Sequence, residues 1–364
     1  MIEPTPLQQI NRTYVRHHGL TLSYFSGCDY FRLASHPAVL KALDQGAKKF
    51  GLNVAASRMT TGNHALYEKL EMRLVEFFGA SAALLVSNGY LTNLIVAQTL
   101  HGNFSHALID EKAHASLQDA AQFLGCAVMR FKHRDVENFS RVLARCGTEV
   151  RPILLTDGMF SGDGEIAPLA QYLKILPRDG MVLLDDAHGA GTLGHTGKGT
   201  PELAGISRQR IIQTITLSKA FGVYGGAILG GSALRKKIVL ESRMFIGNTP
   251  LPLPLANAAL EAVDVLHRNQ QLRRRLNENV SYVKSILRKK NFLVAETSSP
   301  IIPFLPANAR ATARLKEKLL ARKIFPPFIR YPGGPENGYF RFVLSSEHTR
   351  KQLDSLLAAL NEID

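Results

Sequence analysis

The chain has 364 residues, 45% of them apolar, and a net charge of +14. That length exceeds a single small core and suits one large domain with a smaller one, and the apolar content excludes a disordered chain. The basic residues are dispersed and carry no zinc-finger or recognition-helix signature, which argues against nucleic acid; a solvated face, an anionic small molecule and an acidic carrier protein all suit the charge, which does not choose between them.

From the N-terminus, residues 1–20 read as a loosely attached arm or short helix, followed by a short alternating strand, a turn, and an amphipathic helix over 37–50. Strand–helix alternation begins at Ala82: strands are expected over Ala82–Val86, His106–Ile109, Cys126–Phe131, Ile153–Thr156, Met181–Leu184 and Ile211–Ile215, with a helix opening at S-N-G-Y-L-T-N and running to Leu100. A helix starts near Ser232, and Leu255–Arg288 carries one long helical pattern. The C-terminal part alternates again: strands Ile301–Leu305, Ile324–Ile329 and Tyr339–Leu344, helices Ala309–Ala321 and Thr349–Ile363. This predicts an α/β fold with an arm and entry segment (1–50), a large domain (51–255), and a linking helix with a small α+β domain (256–364).

Three cysteines, Cys28, Cys126 and Cys146, are far apart with no CxxC pair, so they read as free thiols, with no metal site expected. No run approaches the ~20 apolar residues of a membrane span, and the start of the chain lacks the apolar stretch of a secretory signal. The expected location is cytoplasmic.

The chemistry concentrates in residues 180–226. Two short apolar runs, Met181–Leu184 and Ile211–Ile215, each end in polar, titratable residues, as buried parallel strands do where ligands bind beyond their carboxyl ends. One run delivers Asp185 and His188, the other Thr216, Ser218 and Lys219, with Gly222, Gly225 and Gly226 behind. Singly, such an Asp caps a helix and such a Lys is solvated. Together they match what pyridoxal 5'-phosphate (PLP) requires: a lysine for its aldehyde, a carboxylate for its ring nitrogen, and hydroxyl and amide donors for its phosphate.

D-D-A-H-G and T-x-S-K-A-F-G, in this order, resemble the α-oxoamine synthases, a family of fold type I PLP enzymes. The resemblance runs from about Tyr24 to the C-terminus. The entry segment matches at Asp29, Tyr30, Leu33, His36 and Pro37, but Phe31-Arg32 stands where the family has Leu-Gly, and Asn53-Val54-Ala55-Ala56 replaces a run of glycines before Ser57-Arg58. T-G-N-H, D-x-x-x-H-A-S, T-D-G-M-F-S-G-D-G and the C-terminal I-R-Y-P with R-F-V-L-S-S-E-H-T supply the remaining matches.

The resemblance implies a seven-stranded, mostly parallel sheet and a homodimer with shared active sites. It implies Lys219 as the cofactor lysine and base, Asp185 on the ring nitrogen, His188 near the ring hydroxyl, and His114 stacked on the ring. Asn88, Gly89, Tyr90, Thr216 and Ser218 would hold the cofactor, and Thr249, rather than Asn248, would reach the neighbouring subunit's phosphate. Arg330 would clamp the amino-acid carboxylate, with Asp157 and Asn63 near the substrate and Arg341 structural. The implied reaction is decarboxylating condensation of a small amino acid, L-alanine foremost, with an acyl thioester of coenzyme A or a carrier protein. T-G-N-H leans to the 8-amino-7-oxononanoate synthase branch, while the two departures keep glycine- or serine-using branches with another acyl donor as rivals. The alternatives from other classes are an aminotransferase, a non-catalytic cofactor-binding regulator and a basic nucleic-acid binder.

Overall fold

The computed structural model describes residues 6–330 and 334–361. The chain forms two compact units: the segment up to Ser35 with Ser161–Glu165 and everything from Gln270, and His36–Phe160 with Ile166–Asn269. The entry segment thus belongs with the C-terminal part, and the division falls at Asn269, not at 255. The long helical pattern is two helices, Leu253–Arg268 and Gln270–Lys289. Asn269 leaves the helical region (φ −107°, ψ 80°) and separates them.

In the C-terminal unit, residues 8–23 form an antiparallel meander of β1 (Gln8–Asn11), β2 (Tyr14–His17) and β3 (Leu20–Ser23); β3 is the short strand expected after the arm, while β1 and β2 stand where an arm or helix was expected. The decisive signal is His18-Gly19. Both residues have positive φ (46° and 76°), the two-residue hairpin geometry that matches strand twist.

The larger unit holds β4 (Ala82–Val86), β5 (His106–Asp110), β6 (Ala127–Phe131), β7 (Pro152–Asp157), β8 (Met181–Asp185), β9 (Ile211–Thr216) and β10 (Gly226–Gly230). They form one sheet in the order β4-β10-β9-β8-β7-β5-β6, parallel except for β10, which runs antiparallel to both neighbours. Both faces are covered. Leu155 and Leu183 enter a core with Ile95, Leu117 and Phe245, while Leu154, Val182 and Leu184 enter a second core with Phe139, Leu169 and Tyr172. Burial on both faces explains why these strands read as continuous apolar runs.

The C-terminal unit also carries a second sheet, β11 (Ile301–Phe304), β12 (Phe328–Ile329) and β13 (Tyr339–Val343), in the order β11-β13-β12 and antiparallel throughout. The strand expected over Ile324–Ile329 contracts to two residues because Pro326 and Pro327 offer no N–H to a ladder. Ile324 instead makes a single bridge to Ser23. The helix expected to end at Ile363 is Arg350–Asn361; Ile363 and Tyr331 lie outside the described residues.

Both departures from the family's glycines keep glycine-like backbone. Arg32, at the glycine of Leu-Gly, has φ 54°, and Ala55 in the 53–56 segment has φ 52°. Left-handed backbone at a non-glycine residue costs roughly 1–2 kcal/mol. At Arg32 the buried guanidinium offsets this by donating to the carbonyls of Tyr24 (3.1 Å) and Ser26 (3.3 Å).

His348 pins the same entry segment. Its Nδ1 accepts from the Ser345 amide (3.0 Å), which places the ring proton on Nε2, 3.0 Å from the Tyr24 carbonyl, and the ring stacks on Phe25 at 4.2 Å. Burial, reinforced by the nearby Arg32 cation, pushes its pKa down to about 3. A histidine neutral in the folded state and free to protonate when unfolded stabilises fully above its ordinary pKa of ~6.5, and that stability is lost as pH falls from there towards 3. Denaturant titrations between pH 7 and 3 (a window of roughly this width) are expected to show His348→Gln losing stability less steeply than wild type, by about one proton per molecule.

Candidate active site

The site is assembled at the carboxyl ends of β7, β8 and β9. Register pairs Asp157 directly with Asp185 on the neighbouring strand, so two carboxyl groups sit side by side at one sheet edge. Both are buried. They line a cavity of about 100 Å³ with Lys219, His188 and Thr216. Gly89, Tyr90, His114 and Ser116 complete its wall from the helices Gly89–Thr99 and Ala115–Phe123.

Asp185 is the best-served acid of the group. Its Oδ1 accepts from the Ala187 amide (3.1 Å), and its Oδ2 from Asn93 Nδ2 (2.6 Å) and the Ser116 hydroxyl (3.3 Å). The amide orientation of Asn93 is fixed from both ends: its oxygen accepts from Thr214 (2.7 Å), and its NH₂ also reaches Ser116 Oγ (2.9 Å). Asp157 differs. Its Oδ2 accepts from the His114 amide (2.8 Å), but burial and the adjacent Asp185 hold its pKa well above the ordinary carboxylate range. Burial beside a second carboxyl group thus disfavours charge on Asp157.

His114 opens its helix as the cap. Nδ1 accepts from the Ser116 amide (3.2 Å), which assigns the ring proton to Nε2. Burial lowers its pKa, with Asp185 pulling it up and Lys219 pushing it down, so the imidazole is neutral at pH 7. Tyr90 meets the ring edge-on at 5.9 Å, and its hydroxyl is bonded to Asp119.

Lys219 stands on a loop that closes on itself. Leu217 N donates to Gly225 O, Val223 N to Leu217 O, and Gly222 N to Lys219 O (2.9 Å each). Opposite, a Cβ at Gly89 would lie 2.8 Å from Thr216 Cβ, and one at Gly226 would lie 2.7 Å from the Asn88 carbonyl carbon. Glycine at both positions lets β9, β10 and the helix start converge. The Thr216 hydroxyl accepts from Ser218 N and donates to Gly225 O (3.1 Å each).

Of the expected site residues, Lys219, Asp185, His188, His114, Asp157, Gly89, Tyr90 and Thr216 thus surround one cavity. Asn88 is a helix cap whose Oδ1 accepts from Leu91 N (3.1 Å), and Ser218 is exposed. Thr249 is exposed as well, while Asn248 donates to Ser87 Oγ (2.8 Å). Asn63 bridges Arg58 Nε (3.0 Å) and Glu68 (2.9 Å) at the surface. None of these lines the cavity. In the other unit, Arg330 is exposed at the end of β12.

Asn93, Ser116 and Thr214 were not singled out in the sequence. Nor was Asp186, buried beside Asp185, which accepts from Thr200 N (2.9 Å), Thr200 Oγ1 (2.7 Å) and Gln213 Nε2 (2.6 Å) and anchors the loop carrying His188. Burial pushes its pKa up to about 6. The available signal for all four was a polar residue interrupting an apolar run, as Gln213 and Thr214 interrupt Ile211–Ile215. Asn93→Ala leaves Thr214 and Asp185 without their buried partner, and a loss of about 1–3 kcal/mol is expected in urea unfolding.

The aminotransferase class I and II family model matches residues 28–360. The chain is 36% identical to an 8-amino-7-oxononanoate synthase of Thioalkalivibrio sulfidiphilus over 340 residues (93% of this chain, 87% of the relative). It is 34% identical to one from Xylella fastidiosa over 358 residues (97% and 89%). Among solved structures, a serine palmitoyltransferase from S. paucimobilis with a bound PLP–myriocin aldimine matches with TM-score 0.92 and 26% identity, covering 100% of this chain and 93% of that one. An 8-amino-7-oxononanoate synthase from Francisella tularensis matches with TM-score 0.80 and 28% identity (94% and 96%). The chain is a member of the aminotransferase class I and II family and, within it, of the fold type I α-oxoamine synthases.

Proposed function

We propose that the protein is a PLP-dependent acyltransferase that joins a small amino acid, L-alanine foremost, to an acyl thioester, releasing the thiol and carbon dioxide and leaving an α-amino ketone. The observation that carries the reading is the convergence of Lys219, Asp185 and His114 on one cavity, in a chain whose relatives are 8-amino-7-oxononanoate synthases.

The residues present fit the cofactor. The Asp185 carboxylate, held by donors from Ala187, Asn93 and Ser116, is suited to a protonated pyridine nitrogen. The start of the Gly89–Thr99 helix, stripped of a side chain at Gly89, offers amide donors and a positive dipole end to a phosphate beside Thr216. Bound there, PLP supplies an aldehyde that condenses with amines and a cationic ring that accepts the electron pair left at the amino acid's α-carbon. The chain's own groups do the rest. Lys219 Nζ accepts the α-proton and later returns one. His114 covers the site with a neutral ring whose Nε2–H donates, and His188 serves the ring hydroxyl. Burial and the neighbouring Asp185 push the Asp157 pKa up, which disfavours a second negative charge there. Asn63, and Thr249 contributed across a homodimer, remain part of the proposal.

For the amino-acid carboxylate, Arg341 is a better candidate than Arg330. Its guanidinium is half-buried, with Nε donating to the Ser161 carbonyl (2.6 Å) and both Nη atoms on the soft Cys28 sulfur (3.6–3.7 Å), and among the described residues no carboxylate pairs with it. A guanidinium held this way, with no paired carboxylate among the described residues, can take one.

Two measurements test this. Lys219→Ala is expected to abolish the visible band of the PLP-loaded protein and the thioester-dependent release of carbon dioxide from alanine; turnover of amino acid with a 2-oxo acid and no thioester would instead make the protein an aminotransferase. Arg341→Ala is expected to raise KM for the amino acid by roughly 30-fold or more, from about 2–5 kcal/mol lost at a buried charge pair, whereas Arg330→Ala changes it by less than about threefold.

A further inference from the structure

Two consecutive acids close β8 and face different surroundings. Asp185 lines the Lys219 cavity, whereas Asp186 is fully buried and does not. Three separate segments give up their side chains around the Asp186 carboxyl group. A Cβ at Gly158 or Gly189 would lie 2.3 or 2.0 Å from its Oδ1, and one at Gly199 would lie 1.9 Å from its Oδ2. Donors meet both oxygens: Thr200 Oγ1 on Oδ1 (2.7 Å), Thr200 N (2.9 Å) and Gln213 Nε2 (2.6 Å) on Oδ2. The Gln213 NH₂ also meets the Lys198 carbonyl (3.1 Å), while its buried oxygen meets no donor among the described residues.

This arrangement is costly. A buried acceptor left unmet and an acid shut away from water both lower stability, and an apolar side chain at 186 would incur neither cost. What a carboxyl group supplies instead is direction, because hydrogen bonds have geometry and apolar contact has none. The backbone shows what is directed. Asp186 N donates to Thr214 O (2.9 Å), and Asp186 O accepts from Ala190 N (2.8 Å), closing a turn with His188 at its middle. The His188 carbonyl accepts from Thr192 Oγ1 (2.7 Å). The bonds from Asp186 to Thr200 join the two ends of the loop, and Gly191 N to Gly197 O (2.8 Å) and Gly199 N to Leu193 O (3.0 Å) close it in between. His188 is thereby set on the cavity wall, 4% exposed.

We infer that Asp186 is a positioning residue: through this loop its carboxyl group holds the His188 imidazole in the Lys219 cavity. Its part in the reaction rests on the reading of His188 as the partner of the cofactor's ring hydroxyl; the positioning itself does not.

The test is modification of the full-length protein by diethyl pyrocarbonate, read at each histidine by peptide mass, first without and then with PLP. His188 and His348 are buried alike, at 4% each, and both are expected to react slowly in wild type. Asp186→Asn sets an NH₂ among donors and is expected to speed modification of His188 by about tenfold or more, with His348 at its wild-type rate. Gln213→Leu, a milder change that leaves Asp186 on Thr200, is expected to act in the same direction. PLP affinity gives the second readout. Asp186→Asn is expected to weaken it about tenfold beside His188 but less than about twofold in a His188→Phe background, since residues that act through one another are not additive. Unchanged protection of His188 in either folded variant, equal exposure of His348, or the same loss of PLP affinity in both backgrounds would overturn the inference. A wild-type protein that binds no PLP would overturn the proposed function instead, and the His188 rates would still decide the positioning.

Discussion

The architecture depends on one electrostatic constraint: two carboxyl groups, Asp157 and Asp185, held side by side on adjacent parallel strands and shut away from water. Two bare charges at that separation in a low-dielectric interior repel by several kcal/mol. The fold resolves the conflict asymmetrically. Asp185 receives donors from three directions, while Asp157 receives one amide and is pushed towards its neutral form. The helices flanking the sheet are placed to make this possible, since Asn93 and Ser116 project from two of them and the capping turn of His114 provides the amide for Asp157. One edge of the sheet thereby combines a well-bonded carboxyl group, a second acid pushed towards its neutral form, a neutral imidazole and a lysine.

Much of this was legible in the sequence because the residues that do chemistry interrupt patterns that are otherwise regular. Apolar runs of five or six residues marked the strands of the large sheet, and abrupt polarity at their ends marked Asp185, His188 and Lys219. The glycines before and within β10 admit backbone where side chains would collide. What could not be read was what depends on partners distant in sequence. Asn93 looks like any polar residue inside a helix until Thr214 and Asp185, 121 and 92 residues away, are seen to orient its amide. The strands β1 and β2 were missed because β1 is exposed along its whole length and so carries no alternation. Arg330 and Arg341 illustrate the same limit: both fit a motif, but only the fold distinguishes an exposed guanidinium from a half-buried one.

The departures from the family's glycines show how a fold keeps a shape after losing the residue that made it easy. Arg32 and Ala55 retain the left-handed backbone. At Arg32 the long side chain turns back to bond two carbonyls of its own segment, converting a steric liability into a brace for the chain around Phe25 and Tyr24. Ala55 has only a side-chain contact to its amide from Asn53, so the 53–56 segment holds its conformation with much less support.

The antiparallel strand β10 also sets an order on biosynthesis. β4 has no sheet partner but β10, so Ala82–Val86 cannot be paired until Gly226–Gly230 has left the ribosome. The interval spans roughly 140 residues, which at ~5–20 residues per second is on the order of ten seconds. During that time an apolar strand and the first wall of the cavity are exposed with no sheet partner, and Lys219, only a few residues ahead of β10, is made near the end of the interval.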